Sequence, residues 1–150
     1  MKIYYREKSG GIEILRCFGI EGRVEIPGMI DGRLVISAAP YAFSSHMDEK
    51  EELKNASLWE VSEGLGFGRE EHVLAGNDVE EIVFPYTLKE IGRYIFYGCG
   101  NLKKLEFSDS LMQIGCGAFT GCHALEKLTV HMRQGKKSGV KEMLGEMWQR

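Results

Sequence analysis

The chain has 150 residues and a formal net charge of −3 at pH 7, with 43% hydrophobic and 27% charged residues. This composition is ordinary for a globular protein and the length suits one domain, so we predict a single domain over residues 1–150. The charge balance gives no cationic field for nucleic acid, and no stretch reaches the roughly 18 apolar residues of a membrane span. The N-terminus has no apolar core before a cleavage site. The sequence given therefore predicts a cytoplasmic protein, or a cell-surface or secreted one if a leader precedes it.

The first strands are predicted between residues 12 and 36. Ile12–Phe18 alternates well enough for a strand, and Val24–Ile26 is a second short strand that Pro27 stops. Asp31-Gly32 is a favoured turn pair and leads into Leu34–Ile36.

Residues 1–44 also contain a degenerate copy of the repeat that follows. Val35 lies eight residues before Phe43, the same spacing that separates Leu88 from Phe96 in the next unit. Ala38-Ala39 stand where that unit has isoleucine and glycine. A terminal unit of a solenoid meets water on one side, so we expect it to be atypical.

Residues 45–78 interrupt the repeat with an insert that we predict to be irregular and helical. Asp48 and Glu51 have the spacing of a capping box, and helix-forming residues continue to Ala56. Leu58–Val61 fits either a helix or a strand. The acidic residues around Glu51 are expected to form a solvated helix face, not a catalytic carboxylate pair.

Two aromatic residues of the insert, Trp59 and Phe67, are candidate partner-binding residues, because an exposed aromatic side chain there would favour docking. Residues 64–68 are rich in glycine but lack the G-x-G-x-x-G spacing of a phosphate cradle. We therefore predict a loop.

A 23-residue repeat fills residues 79–130. Val79–Phe84 is followed by Leu102–Phe107 and Leu125–Val130, and 102 − 79 and 125 − 102 both equal 23. A Leu-x-x-Ile-Gly stretch and a Phe-x-Gly-Cys stretch recur between these segments at constant offsets. A fixed period in the 20s indicates a solenoid, in which each unit buries its apolar face against its neighbours.

Alternation along each strand predicts which side chains face outward. Leu105 and Phe107 should face the core while Lys104 and Glu106 face solvent. The outward rows are then Glu81, Lys104 and Lys127; Val83, Glu106 and Thr129; and Pro85, Ser108 and His131. Within this face the candidate partner-binding residues are Lys104, Glu106, Lys127 and Thr129. A structural role, such as pairing of Glu81 with Lys104, is an equally open interpretation of the same charges.

The cysteines indicate packing more than chemistry. Cys99 and Cys122 share one repeat position, so they should stack about 5 Å apart in neighbouring coils. A ladder of small buried thiols is favoured over a disulfide because no secretion signal is seen. Cys116 precedes Cys122-His123 at a spacing that matches no common zinc site, so we predict no metal and no cofactor.

The final segment, residues 131–150, is predicted to cap the solenoid. Val140, Met143, Leu144 and Met147 recur at the spacing of one helical face, and Ser138 can cap that helix. The alternative is a partner-binding helix that includes Trp148.

A strand with Pro, then Leu-x-x-Ile-Gly, then Ala-Phe-x-Gly-Cys at a 23-residue period resembles the BspA-type (Treponema pallidum-like) leucine-rich repeat. The resemblance implies an α/β repeat fold, a short right-handed leucine-rich-repeat solenoid with a parallel strand sheet, here with an irregular helical insert and a C-terminal capping helix. Members of that family are often bacterial surface proteins implicated in adhesion.

No catalytic set emerges from the sequence. The four histidines, at positions 46, 72, 123 and 131, are scattered over different segments and none is spaced to pair with a nucleophile or a second metal ligand. We predict a non-enzymatic protein-protein interaction module with a protein partner. The alternative is a bacterial surface adhesin or glycan-binding fragment, and a hydrolase would require His, Cys or carboxylates to converge in one cleft. The sequence leaves the partner and the oligomeric state open.

Overall fold

The computed structural model describes residues 1–61 and 70–132 of the chain. In chain order the elements are β1 (Lys2–Lys8), β2 (Gly11–Gly19), β3 (Arg23–Glu25), β4 (Met29–Ile30), β5 (Arg33–Ala38), α1 (Glu49–Glu52), β6 (Ser57–Glu60), β7 (His72–Val73), a 3-10 turn (Gly76–Asp78), β8 (Glu81–Val83), β9 (Glu90–Ile91), β10 (Lys104–Ser108), β11 (Gln113–Ile114) and β12 (Lys127–His131). Successive coils contribute one strand to each of two sheets.

The first sheet, which we name sheet B, is parallel and has the order β3-β8-β10-β12. Its register places Val24, Ile82, Leu105 and Leu128 in one row, each at the same repeat position. The 23-residue period aligns Ile82, Leu105 and Leu128, whereas Val24 precedes Ile82 by 58 residues because the insert lies between their coils. Leu105 and Phe107 are buried, so the prediction that they face the core is confirmed.

The second sheet, sheet A, contains the parallel strands β5, β9 and β11. Ala38 pairs with Ile91 and Ile91 with Ile114, so the degenerate first copy lies where the sequence predicted it. The Asp31-Gly32 pair forms the turn between β4 and β5, and both residues have positive φ, at 50° and 79°.

An antiparallel hairpin of β1 and β2 extends sheet A beyond the first coil. Strand β2 runs parallel to β5, while β6 pairs with the far edge of β1 and β7 pairs with β2. These strands cover the N-terminal end of the solenoid, so the atypical first unit is protected by paired strands. The sequence analysis predicted β2 but not β1.

The insert differs from the helix that was predicted. Asp48 does cap a helix by accepting from the Glu51 amide at 3.3 Å, but that helix, α1, has four residues. The rest of the described insert adds β6 and β7 to sheet A. Pairing with the edge of β1 and packing of Trp59 against the core override the local helix propensity. The described fold is therefore a parallel-strand β-solenoid rather than an α/β repeat.

Three other predictions lie outside the described residues. They are the loop at 64–68 with Phe67, the capping helix built on Val140–Met147, and Trp148.

The core is a stack of aromatic rings between the sheets. Phe96 is fully buried and lies 6.1 Å from the Phe43 ring and 5.6 Å from the Phe119 ring, centroid to centroid. Phe84 and Phe107 stack at 4.9 Å with their planes 8° apart. Equivalent repeat positions thus place equivalent rings against one another.

Close backbone contact between coils depends on two glycines. A Cβ added at Gly92 would lie 2.3 Å from the Pro40 nitrogen, and one at Gly115 would lie 2.1 Å from the Arg93 nitrogen. Each glycine therefore sits directly against the backbone of the preceding coil, at a tight corner that leaves no room for a side chain.

We expect Phe96→Ala to lower the free energy of unfolding by about 3–5 kcal/mol, because it removes ring contacts on both sides and leaves a cavity. Phe119→Ala should cost less, since that ring is 9% exposed and has a ring neighbour only on the Phe96 side among the described residues. Urea unfolding of the two variants measures both values. Equal losses would contradict the stacked arrangement.

We expect Gly115→Ala to destabilise the protein by about 2 kcal/mol or more, because backbone atoms cannot move aside as a side chain can. Gly28→Ala is the matched control, since its Cβ would make ordinary contact with Pro85 at 3.6 Å. Thermal unfolding of both variants tests the claim. A Gly115→Ala protein as stable as the Gly28→Ala protein would show that the coils are not so closely packed there.

Candidate functional site

The outward side of sheet B, which we call the strand face, carries the charged rows predicted from the sequence. Lys104 is the direct Cα partner of Lys127, and Glu106 is that of Thr129. Both lysines are exposed, while Glu106 and Thr129 are half-buried. Ser108 was expected on this face but is buried, and its hydroxyl lies 2.6 Å from that of Ser110. The third outward row is therefore incomplete.

Ion pairs on the strand face differ from the simplest expectation. Glu81 is in register with Lys104, yet its carboxylate pairs with Arg23, with Nε and Oε1 3.5 Å apart. Arg23 also reaches Glu25 at 3.5 Å, and the His131 ring lies 3.4 Å from the Glu106 carboxylate. Among residues 1–61 and 70–132, Lys104 and Lys127 form no ion pair. The structural role suggested for Lys104 is thus filled by Arg23.

Trp59 does not project into solvent. It lies on β6 opposite Ile3 and packs half-buried against the core. Its ring therefore has a structural contact, while Phe67 and Trp148 lie outside the described residues.

A second surface, the tyrosine corner, was not predicted. It consists of Tyr41, Tyr94, Tyr97 and His46. The rings of Tyr41 and Tyr94 stack at 5.6 Å with an interplanar angle of 20°, and Tyr97 meets Tyr94 edge-on at 5.7 Å. His46 is exposed and contacts Tyr97 edge-on at 4.7 Å. Four neighbouring rings thus lie at one corner of the solenoid, three of them half-buried.

The backbone at this corner is left-handed in three successive coils. Tyr41 and Tyr94 have φ of 59° and 52°, and the equivalent Gly117 has φ of 66°. Amide hydrogen bonds link the coils there, from Tyr41 to the Arg93 carbonyl and from Tyr94 to the Cys116 carbonyl. Glycine adopts this conformation without strain, whereas a tyrosine does not.

Gly117 also makes room for the neighbouring ring. A Cβ at Gly117 would lie 2.2 Å from Cε1 of Tyr94. The Tyr94 ring is therefore enclosed between the Tyr41 ring and the Gly117 backbone, which fixes its orientation.

A buried arginine holds the first coil of the corner. Arg16 is 2% exposed, and its Nη1 donates to the carbonyls of Tyr41, Ala42 and Ser44 at 3.2, 3.1 and 2.6 Å. Its Nε pairs with Glu49 of α1 at 3.0 Å. These contacts of Arg16 hold the turn in its strained conformation. Backbone strain persists only where the surrounding structure holds it in this way.

The sequence contains one signal for this corner. Each copy of the repeat has a phenylalanine at the same position, namely Phe43, Phe96 and Phe119. The residue two positions before it is Tyr41, Tyr94 and Gly117 in successive copies. Glycine in one copy indicates left-handed backbone, and the repeat transfers that indication to both tyrosines. Nothing local marks Arg16, whose carbonyl partners lie 25 to 28 residues away.

The cysteines form the ladder that was predicted. Cys99 Sγ donates to the Phe43 carbonyl at 3.2 Å, and Cys122 Sγ donates to the Phe96 carbonyl at 3.3 Å, each across to the preceding coil. Burial raises the pKa of both thiols to about 12, so they stay protonated at neutral pH. All four cysteines are free, and only Cys116 among them is exposed.

A polar cleft of about 250 Å³ lies on the outer side of sheet A. Buried Glu13 accepts from Arg6 at 2.6 Å and from Lys8 at 2.9 Å, and Lys8 also reaches Glu90. Burial raises the pKa of Glu13, but the hydrogen bonds from Lys8 and Arg6 outweigh it and leave that pKa lowered. The charges of two carboxylates and two cations cancel here, so the ion-pair network that lines the cleft has no net charge. Within the described residues no group of His, Cys, Asp or Glu could hold a metal ion.

The parallel coils and their 23-residue period define the class of leucine-rich-repeat solenoids. Residues 70–138 match the family described as BspA type leucine rich repeat region (6 copies). The resemblance found in the sequence is therefore confirmed over these residues. Solenoids of this kind expose extended surfaces for binding, so the fold supports a protein-binding or surface-repeat module.

Two solved structures resemble the fold. A leucine rich cell surface protein of Faecalibacterium prausnitzii A2-165 has a TM-score of 0.56 and 19% sequence identity, covering 86% of this chain and 30% of that one. The chain thus spans less than a third of that protein's length. The T. pallidum leucine-rich repeat protein has a TM-score of 0.41 and 15% identity, covering 95% of this chain and 92% of that one. No curated protein matches the chain.

No helix in residues 1–61 or 70–132 is long and apolar enough to cross a membrane.

We expect Arg16→Met to lower the free energy of unfolding by at least about 3 kcal/mol, because it removes three charge-assisted hydrogen bonds and takes from the Ala42 carbonyl its buried donor. Glu49→Gln is the control and should cost less, since the glutamine oxygen can still accept from Arg16 Nε and the Glu49 side chain is 40% exposed. Chemical denaturation gives both numbers. If Arg16→Met proved as mild as Glu49→Gln, Arg16 would not be what holds the turn.

Proposed function

We propose that the protein is a non-enzymatic protein-protein interaction module and that the tyrosine corner is its main contact surface. Leucine-rich-repeat proteins are generally binding modules, and this fold supports that role. The observation that carries the proposal is the placement of Tyr41 and Tyr94 on left-handed backbone where the third coil has Gly117.

Energetics favour a binding role for these tyrosines. Left-handed backbone costs a residue with a side chain roughly 1–2 kcal/mol. Stacking of the two rings returns about 0.5–1.5 kcal/mol, so stability gives tyrosine little advantage over glycine at this position. Tyrosine is enriched at interfaces because it presents a large, rigid and amphipathic surface. Arg93, exposed beside Tyr94, adds a second residue type that is common in interface hot spots.

The alternative adhesin or glycan-binding role has weaker support. Exposed Phe, Tyr or Trp side chains along the strand face would support that role, and the outward positions of the described strands of sheet B carry charged, aliphatic, hydroxyl and imidazole side chains instead. The cell-surface description of the F. prausnitzii protein belongs to that protein. Localisation of this chain stays a prediction.

We expect a Tyr41→Asn/Tyr94→Asn variant to capture at least about tenfold less of the partner than the parent protein does, as loss of hot-spot residues predicts. Asparagine tolerates left-handed backbone, so the fold should be kept with only a modest loss of stability. Affinity capture from an extract of the source cells, quantified by mass spectrometry, provides the measurement, and circular dichroism checks the fold.

Tyr86→Asn is the matched control, because Tyr86 is 74% exposed and lies outside the corner. It should capture the partner as the parent does. If the folded double variant captured as much partner as the parent protein, the tyrosine corner would not be the contact surface. Failure of the parent protein to enrich any protein above beads that carry an unrelated solenoid would contradict the interaction role itself.

A further inference from the structure

We propose that the strand face binds an acidic, extended segment of a partner protein through Lys104 and Lys127. This inference rests on the proposed interaction function but concerns a surface separate from the tyrosine corner. It goes beyond the sequence prediction, which named these lysines without a ligand chemistry.

The positions of Lys104 and Lys127 destabilise sheet B, because they bring two positive charges together. They are direct partners on adjacent parallel strands, which lie about 4.8 Å apart. Like charges placed directly opposite across strands destabilise a sheet. Neither lysine has an ion-pair partner within residues 1–61 and 70–132, although both are exposed and free to reach one. The pair is therefore poised to accept an anionic group from outside.

The acids of the same face are already engaged. Glu81 and Glu25 both pair with Arg23, and Glu106 contacts His131. Charge is thus divided along the solenoid. At the β3–β8 end two carboxylates meet one arginine, whereas at the β10–β12 end two lysines face one carboxylate. Complementarity therefore directs an acidic ligand to the β10–β12 end.

The shape of the surface favours an extended chain. Sheet B presents a regular row of strands at this end, so a ligand must bring its carboxylates to the lysines. An extended peptide repeats side chains on one side about every 6.6–6.8 Å, and the long lysine side chains span the difference from the strand spacing of about 4.8 Å. Nucleic acid fits less well, because Glu106 on the same face would repel a continuous phosphate backbone and the chain is net acidic.

The test uses a fluorescent peptide of alternating glutamate and serine, a twin in which glutamine replaces every glutamate, and a single-stranded DNA oligonucleotide. Fluorescence anisotropy should show that the parent protein binds the glutamate peptide and neither the glutamine twin nor the DNA. A Lys104→Glu/Lys127→Glu variant should bind the glutamate peptide at least about tenfold more weakly, and the binding of the parent should weaken as salt rises.

The control variant is Lys54→Glu/Lys89→Glu, which makes the same change in net charge at two exposed lysines elsewhere. It should bind the glutamate peptide as the parent does. The single variant Lys127→Glu should remain at least as stable as the parent, because it places opposite charges in register with Lys104. A thermal melt thereby separates loss of binding from loss of fold.

Three results would overturn the inference: no binding of the glutamate peptide by the parent, equal loss in the control variant, or equal binding of the DNA. The last would indicate a general attraction for polyanions. Each of these outcomes leaves the tyrosine-corner experiment untouched, so failure here is distinguishable from failure of the interaction function.

Discussion

The close contact of successive coils at Gly92 and Gly115 is the constraint on which the rest of the structure depends. With no side chain at these positions, the backbone of one coil lies directly on the backbone of the one before it. That contact fixes the coil spacing, and the spacing lets the amide of Tyr94 reach the next coil and the thiol of Cys99 reach the Phe43 carbonyl. The stacking of the rings, the thiol ladder and the strand register all follow from this close backbone contact, which is repeated from coil to coil.

Sequence periodicity predicts most of this fold because the solenoid turns a period directly into a register. Once residues 23 apart are known to be equivalent, the pairing of Ile82 with Leu105 follows. The pairing of Ala38 with Ile91 follows instead from their equal offset, five residues before Phe43 and Phe96. The elements outside the repeat could not be predicted in this way. Strand β1 forms a hairpin with β2, and β6 (Ser57–Glu60) forms because it completes the remaining edge of β1. The pairing of β6 depends on residues far away in the chain, and local propensity for a helix cannot outweigh it.

The candidate surfaces, too, could be predicted from the sequence only in part. Alternation placed Lys104 and Glu106 on one face, since side-chain direction follows from strand geometry. Which carboxylate pairs with which cation depends on the reach and direction of the side chains, and Glu81 pairs with Arg23 instead of Lys104. The tyrosine corner was missed for a different reason, because tyrosine on left-handed backbone runs against its own preference. A local rule fails where the structure over-determines a residue, and such failures are expected at functional sites.

The two surfaces differ in the kind of recognition they can perform. At the corner, Arg16 fixes the turn from below while Gly117 fixes the Tyr94 ring from the side, so little side-chain entropy remains to be lost on binding. Lys104 and Lys127 keep long mobile side chains in solvent, and their attraction acts over a distance that salt shortens. In the roles proposed for them, the aromatic corner would set the strength and geometry of a contact, while the cationic pair would steer and select an acidic segment.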